Sequence, residues 1–191
     1  MSYTRLIVKD LSKIVGYDDL VLIVLADEHR QRQIVVPCDP LIGQQLKLRM
    51  CEQKHPICDK WLPEILVSML APKWENGRII IKDFHDGKYL TYLYDAETSE
   101  SKEIRCSDGV LLSLIADVPL YIDSELFRLQ SVTYTDHTVQ MPLPINVLND
   151  KLLEESMQRA ISAEDYEMAS TIRDELKRRK HKNHNSDTLF Q

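Results

Sequence analysis

Over the first 130 residues, short apolar segments rich in β-branched residues alternate with segments of helical spacing. Leu6-Ile7-Val8, Leu20 to Ala26 and Ile34-Val35-Val36 have strand character. The polar stretch Asp27 to Gln31 between the last two predicts a hairpin. Pro40 opens a helical stretch whose apolar content is Leu41, Leu46, Leu48 and Met50. Trp61, Leu62, Ile65, Leu66, Met69 and Leu70 recur at three- and four-residue steps and predict a second helix. Asn76-Gly77 marks a turn. Arg78 to Asp83 and Lys88 to Tyr94 follow as strands, joined by Phe84-His85-Asp86-Gly87, where glycine can supply the positive φ of a tight hairpin. Glu103 to Cys106 predicts a further strand. Ser107 is expected to N-cap the helix that carries Val110, Leu111, Leu114 and Ile115. Pro119 to Ile122 reads as one more strand and Asp123 to Leu129 as a short helix.

From Val132 to Pro144 the periodicity stops, and Thr133, Thr135, His137, Thr138, Pro142 and Pro144 make a polar connector. Beyond it lie two apolar stripes at helical spacing: Leu153, Met157, Ala160, Ile161, and then Tyr166, Ala169, Ile172, Leu176. Ser162 to Asp165 forms the turn between them. The basic run Lys177 to Lys182 reads as a solvated helix end, since cations suit a helix C-terminus, and the polar residues after it read as disordered. The pattern predicts an α+β fold: a mixed β-sheet with flanking helices, followed by a C-terminal α-helical hairpin. The expected organisation is an α+β domain over 1–131, a linker over 132–146, the hairpin over 147–182 and a disordered tail over 183–191. Two such short helices are marginal alone, so the hairpin is expected to pair with another copy or a partner.

Composition narrows the classes. Five glycines, none spaced for G-x-G-x-x-G or a Walker loop, exclude the phosphate-cradling nucleotide sites. The net charge of −6 argues against a general nucleic-acid coat. Residues 146–191 carry eight basic and nine acidic side chains, which leaves −5 for the rest, so any nucleic-acid contact must be local. The longest apolar run, Leu20 to Ala26, is far too short to span a bilayer. With no leader-like segment at the start, a cytoplasmic protein without membrane contact is expected. Cys38, Cys51, Cys58 and Cys106 form no C-x-x-C pair and read as free thiols.

Two resemblances follow from particular residues. Leu153, Met157, Ala160 and Ile161, with the block Glu164-Asp165-Tyr166-Glu167-Met168-Ala169 and Ile172-Arg173-Asp174-Glu175-Leu176, resemble the UVR motif, the helical hairpin of nucleotide-excision-repair nuclease subunits and of clamp-associated bacterial regulators. That resemblance implies protein–protein docking, with Leu153, Met157, Tyr166, Ala169, Ile172 and Leu176 as partner-binding residues. Residues 5 to 130 are similar to the bifunctional nuclease domain. The similarity is carried by Leu20 to Val36, by Ile79 to Tyr89, and by Ile104-Arg105-Cys106-Ser107-Asp108-Gly109-Val110 running on to Asp117 to Ile122. Where that family has Arg-Pro-Ser-Asp-Ala, this chain has Cys106 for the proline and Gly109 for the alanine. The resemblance implies a bacterial, oligomeric hydrolase that cleaves phosphodiester bonds in RNA or DNA with metal assistance.

Such cleavage needs an activated water, a stabiliser for the phosphorane charge and an acid for the leaving oxygen, and carboxylates holding Mg²⁺ or Mn²⁺ commonly supply them. Asp83, His85 and Asp86 cluster at one hairpin end, with Asp83 and Asp86 as the candidate metal ligands. At the strand-to-helix junction, Arg105 is a candidate phosphate clamp beside Ser107 and Asp108, which complete the catalytic set. Lesser candidates are His55 with Asp59, four residues apart, as a partial metal site, and Cys106 as a nucleophile. The alternative to a nuclease is a non-catalytic oligomeric adaptor or stress and repair regulator that binds a partner through the hairpin.

Overall fold

The computed structural model describes residues 2–14, 17–51, 60–70, 76–85, 87–95, 98–135, 145, 148 and 150–187. The chain divides into two compact units. The first comprises Met1–Phe84 with Tyr89–Leu143, and the second His85–Lys88 with Pro144–Gln191. The fold is α+β, with a mixed sheet, flanking helices and a C-terminal pair of helices.

Eight strands form the sheet: β1 (Tyr3–Ile14), β2 (Tyr17–Asp27), β3 (Arg32–Cys38), β4 (Gly77–His85), β5 (Lys88–Asp95), β6 (Ser101–Arg105), β7 (Leu120–Asp123) and β8 (Val132–Thr133). Their order is β6-β5-β4-β7-β1-β2-β3-β8. β4 runs parallel to β7, with Ile79, Ile80 and Ile81 opposite Leu120, Tyr121 and Ile122. β1 is antiparallel to both β7 and β2, and its ladder with β2 shifts register between Val8 and Asp10. Leu22, Ile23, Val24, Leu25 and Ala26 have no solvent exposure. A strand covered on both faces reads as an unbroken apolar run, and this one does.

Among the described residues, four helices accompany the sheet: α1 (Pro40–Arg49), α2 (Leu62–Met69), α3 (Cys106–Ala116) and α4 (Ser124–Gln130). Asp39 caps α1, its Oδ1 accepting from the Ile42 N–H at 3.0 Å, and Pro40 sits at the first helical position, where its missing N–H costs nothing. Asp123 caps α4 in the same way, accepting from Glu125 and Leu126. α3 approaches the sheet at Gly109. A Cβ there would lie 3.2 Å from Ile79 Cγ2 and 3.4 Å from Thr91 Cγ2, so only glycine allows this close seating without displacement. Gly87 has φ 73°, the left-handed conformation expected of the β4–β5 turn.

Two details depart from the sequence pattern. Val132 and Thr133 lie in the expected connector yet pair with Gln33 and Arg32 as the edge strand β8. The Arg32 side chain reinforces this, donating from Nε to Ser131 Oγ at 2.6 Å and from Nη2 to the Ser131 carbonyl. α3 begins two residues early, at Cys106 with Arg105 at the N-cap position, so Ser107 is not the N-cap but a buried first-turn residue. No described helix is long and apolar enough to cross a membrane.

In the second unit, α5 (Asp150–Ser162) and α6 (Tyr166–Asp187) pack on each other. Their buried residues are Leu153, Ser156 and Ala160 on one helix and Ala169, Ile172, Leu176 and Arg179 on the other. These positions recur at helical steps, one stripe per helix. The turn closes through Asp165 N–H to the Ala160 carbonyl and Ala163 N–H to the Arg159 carbonyl, both at 2.9 Å, with Glu164 at φ 58°. Asp165 then caps α6 by accepting from the Met168 N–H at 3.0 Å.

Candidate functional site

The strand-to-helix junction places Arg105 and Asp108 against each other. Arg105 supplies the residue before α3 in extended backbone, while Asp108 sits in the first turn, where a carboxylate complements the helix dipole. The guanidinium grips that carboxylate with both prongs, Nε to Oδ2 at 2.7 Å and Nη2 to Oδ1 at 3.0 Å, and its Nη1 lies 3.8 Å from Asp39 Oδ2. The bond to Asp108 pushes the Arg105 guanidinium upward. The two-pronged face expected to clamp phosphate is thus engaged by a carboxylate on the same helix turn. Ser107, between them in sequence, is 7% exposed.

Cys106 is buried, and burial pushes its thiol up to about 12, against a smaller lowering by a hydrogen bond with Thr91. At neutral pH it is a protonated thiol, not a nucleophile. Cys38 behaves alike: burial, assisted by the Asp39 charge, pushes it up to about 12. Cys51 is the exposed cysteine among the described residues, its Sγ 3.3 Å from the Lys47 carbonyl.

On β4, Asp83 is exposed and its Oδ1 accepts from the Phe84 N–H at 2.7 Å. His85 is exposed at the end of the same strand. Asp83 belongs to the first unit and His85 to the second. Asp86, His55, Cys58 and Asp59 lie outside the described residues. Among the described residues, no three His, Cys, Asp or Glu side chains gather as a metal-holding group.

The sheet carries a basic and aromatic surface that the sequence reading passes over. Arg78 and Lys82 alternate along β4, and Tyr92 and Tyr94 alternate along β5, so each pair shares one strand face. Lys82 Nζ lies 4.8 Å from the Tyr94 ring centroid and 5.4 Å from that of Tyr92. The Arg78 guanidinium carbon is 5.9 Å from the Tyr94 centroid, and the two rings are 6.4 Å apart. These are cation–π distances. A hydrogen bond with Tyr94 pushes the Lys82 ammonium upward, reinforced by Tyr3 and Tyr92. The signal in the sequence is Arg78 and Lys82 four residues apart in one strand and Tyr92 and Tyr94 two apart in the next, spacings that keep each pair on one strand face. On the other side of the strand order, an open cleft of about 710 Å³ is lined by Lys9, Leu11, Val21, Gly43 and Lys47 among others.

In the C-terminal hairpin, Leu153, Ala169, Ile172 and Leu176 are buried and Met157 is half-buried, while Tyr166 is 67% and Ile161 is 44% exposed. Arg179, expected within a solvated basic run, is instead a buried anchor. Its Nη1 donates to the Leu148 carbonyl at 2.6 Å and to Asp150 Oδ1 at 3.0 Å; its Nη2 donates to the Ile145 carbonyl at 3.1 Å; its Nε donates to Glu175 Oε1 at 2.8 Å. One guanidinium therefore ties the far end of α6 to the start of α5 and the residues before it. Arg178 holds Glu175 from the other side, at 2.7 Å through both Nε and Nη2. Burial raises the Glu175 carboxyl, but the bonds from Arg178 and Arg179 outweigh it and leave the group below its usual range.

Comparison with known proteins agrees with this hairpin. No curated protein matches the chain. The comparisons support no bifunctional nuclease domain in the remainder of the sequence. Residues 151–181 match the UvrB/uvrC motif, and the α5–α6 hairpin is a UVR motif.

Proposed function

We propose that this protein is a docking factor whose UVR hairpin binds a protein partner, with the α+β unit as the body it delivers. The observation that carries the reading is the UvrB/uvrC motif, which falls on a hairpin closed by its own Arg179 network. Since Leu153, Ala169, Ile172 and Leu176 are buried, their role is to build the hairpin. The contact surface then lies at the turn end, where Ile161 and Tyr166 expose apolar area. In a capture experiment with the tagged full chain, an Ile161→Asp/Tyr166→Asp variant is expected to lose a partner that the wild type retains. Retention of the same partner by the variant would place docking elsewhere.

The second reading is a nuclease, and the Arg78, Lys82, Tyr92 and Tyr94 surface favours it. Cations that track phosphates and rings on which bases stack are the ordinary means of holding a single strand. The described donors do not by themselves make a metal site, because Asp83 engages the Phe84 N–H and Asp86 lies outside the described residues. Incubation with single- and double-stranded DNA and RNA in Mg²⁺, Mn²⁺ or EDTA separates the readings. Cleavage above a mock preparation that disappears in Asp83→Ala/Asp86→Ala supports the nuclease. Cleavage under no condition leaves the docking factor.

A further inference from the structure

α2 is turned inside out for a helix on the surface of a single chain. Its one ionisable residue, Glu64, is 8% exposed, whereas Leu62, Ile65, Leu66, Met69 and Leu70 at its end are 40–73% exposed. An amphipathic helix lying on a core normally does the reverse. Successive α-helical residues rotate by about 100°, so these five side chains fall on one arc of about 140°, with Glu64 on the far side.

The orientation is fixed by a specific set of contacts. Arg49, at the end of α1, donates from Nε to Glu64 Oε1 at 2.7 Å, and its Nη2 also contacts that oxygen. The Arg49 and Glu64 side chains are 2% and 7% exposed. Arg49 additionally donates to the Gln45 carbonyl at 2.7 Å, and its guanidinium carbon lies 5.3 Å from the Trp61 ring centroid. Rotating α2 to hide its leucines would pull Glu64 from this pair and strand Arg49 as a buried, unpaired charge, which is strongly unfavourable. The apolar arc is therefore held outward.

We infer that this arc is a self-association surface, and that its occupant is the α2 helix of a second copy of the chain. Charge and area both point there. With Glu64 turned inward, α2 presents no charge on its outer arc, so it offers nothing for a charged partner to read, and an equally neutral apolar arc is its complement. Leu62 and Met69 are seven residues apart, about 10 Å along the helix, with Ile65 and Leu66 between them. Two such helices related by a two-fold axis near Leu66 would place each end of one arc on the opposite end of the other, the isologous arrangement of a symmetric dimer. The five side chains leave on the order of 500 Å² in water, near the upper end of what a monomer exposes. Joining two copies removes about 1,000 Å², the lower bound for specific association, so a weak dimer is expected.

Sedimentation of the full chain over a concentration series to about 100 µM tests this. The wild type is expected to show a reversible monomer–dimer equilibrium, and Ile65→Glu/Met69→Glu to weaken it at least about tenfold, with the far-UV circular dichroism unchanged. Met69→Glu alone, at the most exposed of these positions, serves where the double variant fails to fold, and must weaken association in the same direction. A wild type that stays monomeric across the range overturns the inference, as does a folded variant that associates like the wild type. The outcome is independent of partner docking by the UVR hairpin, which these substitutions leave untouched.

Discussion

Replacing Arg179 by alanine removes one side chain and four hydrogen bonds at once, and the structure gives the size of the effect. The Arg179 and Glu175 side chains are 7% and 13% exposed, so water does not readily substitute for either. Asp150 is half exposed and Ile145 half-buried, so both acceptors can be rehydrated, and Glu175 keeps its two bonds from Arg178. The uncompensated losses are the bond to the carbonyl of fully buried Leu148 and the bond to Glu175. At about 1.5–3 kcal/mol for a hydrogen bond to a charged group, the two together amount to about 3–6 kcal/mol, which overlaps the range of about 3–5 kcal/mol for breaking a buried pair by removing one partner. Some of that is recovered by relaxation at the chain end, so about 3 kcal/mol is expected, more than a hundredfold in the opening equilibrium. Hydrogen exchange read by mass spectrometry on peptides from 150–180 measures this opening directly. Protection should fall by about a hundredfold in Arg179→Ala and by less in Arg179→Lys, which keeps a charge but not the planar fork. A loss under about threefold in Arg179→Ala would refute the anchor.

Four further outcomes follow. The folded-state Glu175 carboxyl lies below its unfolded value near 4.5, so its contribution is present above that pH and is lost as pH falls through the folded pKa; hairpin protection should drop on acidification below about 4.5, and Glu175→Gln should flatten that dependence. Gly109→Val should cost about 1–3 kcal/mol in urea denaturation, because its Cβ would press on Ile79 and Thr91. Brief iodoacetamide treatment at pH 8 should label Cys51 and leave Cys38 and Cys106 unmodified, as judged by peptide mapping, since burial holds both thiols at about 12. If the sheet surface holds single strands, Lys82→Ala/Tyr94→Ala should weaken binding of a fluorescent oligonucleotide at least about tenfold, with no loss of fold by circular dichroism.

Most elements of the fold are legible because their local signals agree with their environments. The β2–β3 hairpin, the helix opened by Pro40, the Gly87 turn and the C-terminal hairpin each carry a pattern that tertiary packing leaves in place. β8 is not legible, since two residues have no period, and it exists because Arg32 bonds to Ser131 beside it. For α2 the spacing gives the helix but not its orientation, which the Arg49–Glu64 pair sets from outside the helix. Arg179 shows the opposite limit: its position, three residues beyond Leu176 and seven beyond Ile172, continues the apolar stripe, yet its residue type and basic neighbours suggest solvent. The candidate site was harder still. Arg105 and Asp108 read as two separate functional groups in sequence, and only side-chain geometry reveals that they bind each other.

The central claim, that the UVR hairpin docks a partner through its turn end, is tested most directly by side-by-side capture on the full-length wild type and on Ile161→Asp/Tyr166→Asp, with hydrogen exchange confirming that both hairpins are folded. The account predicts a protein retained by the wild type and absent from the variant. Identical retention on both, or no protein specific to the wild type, would contradict it.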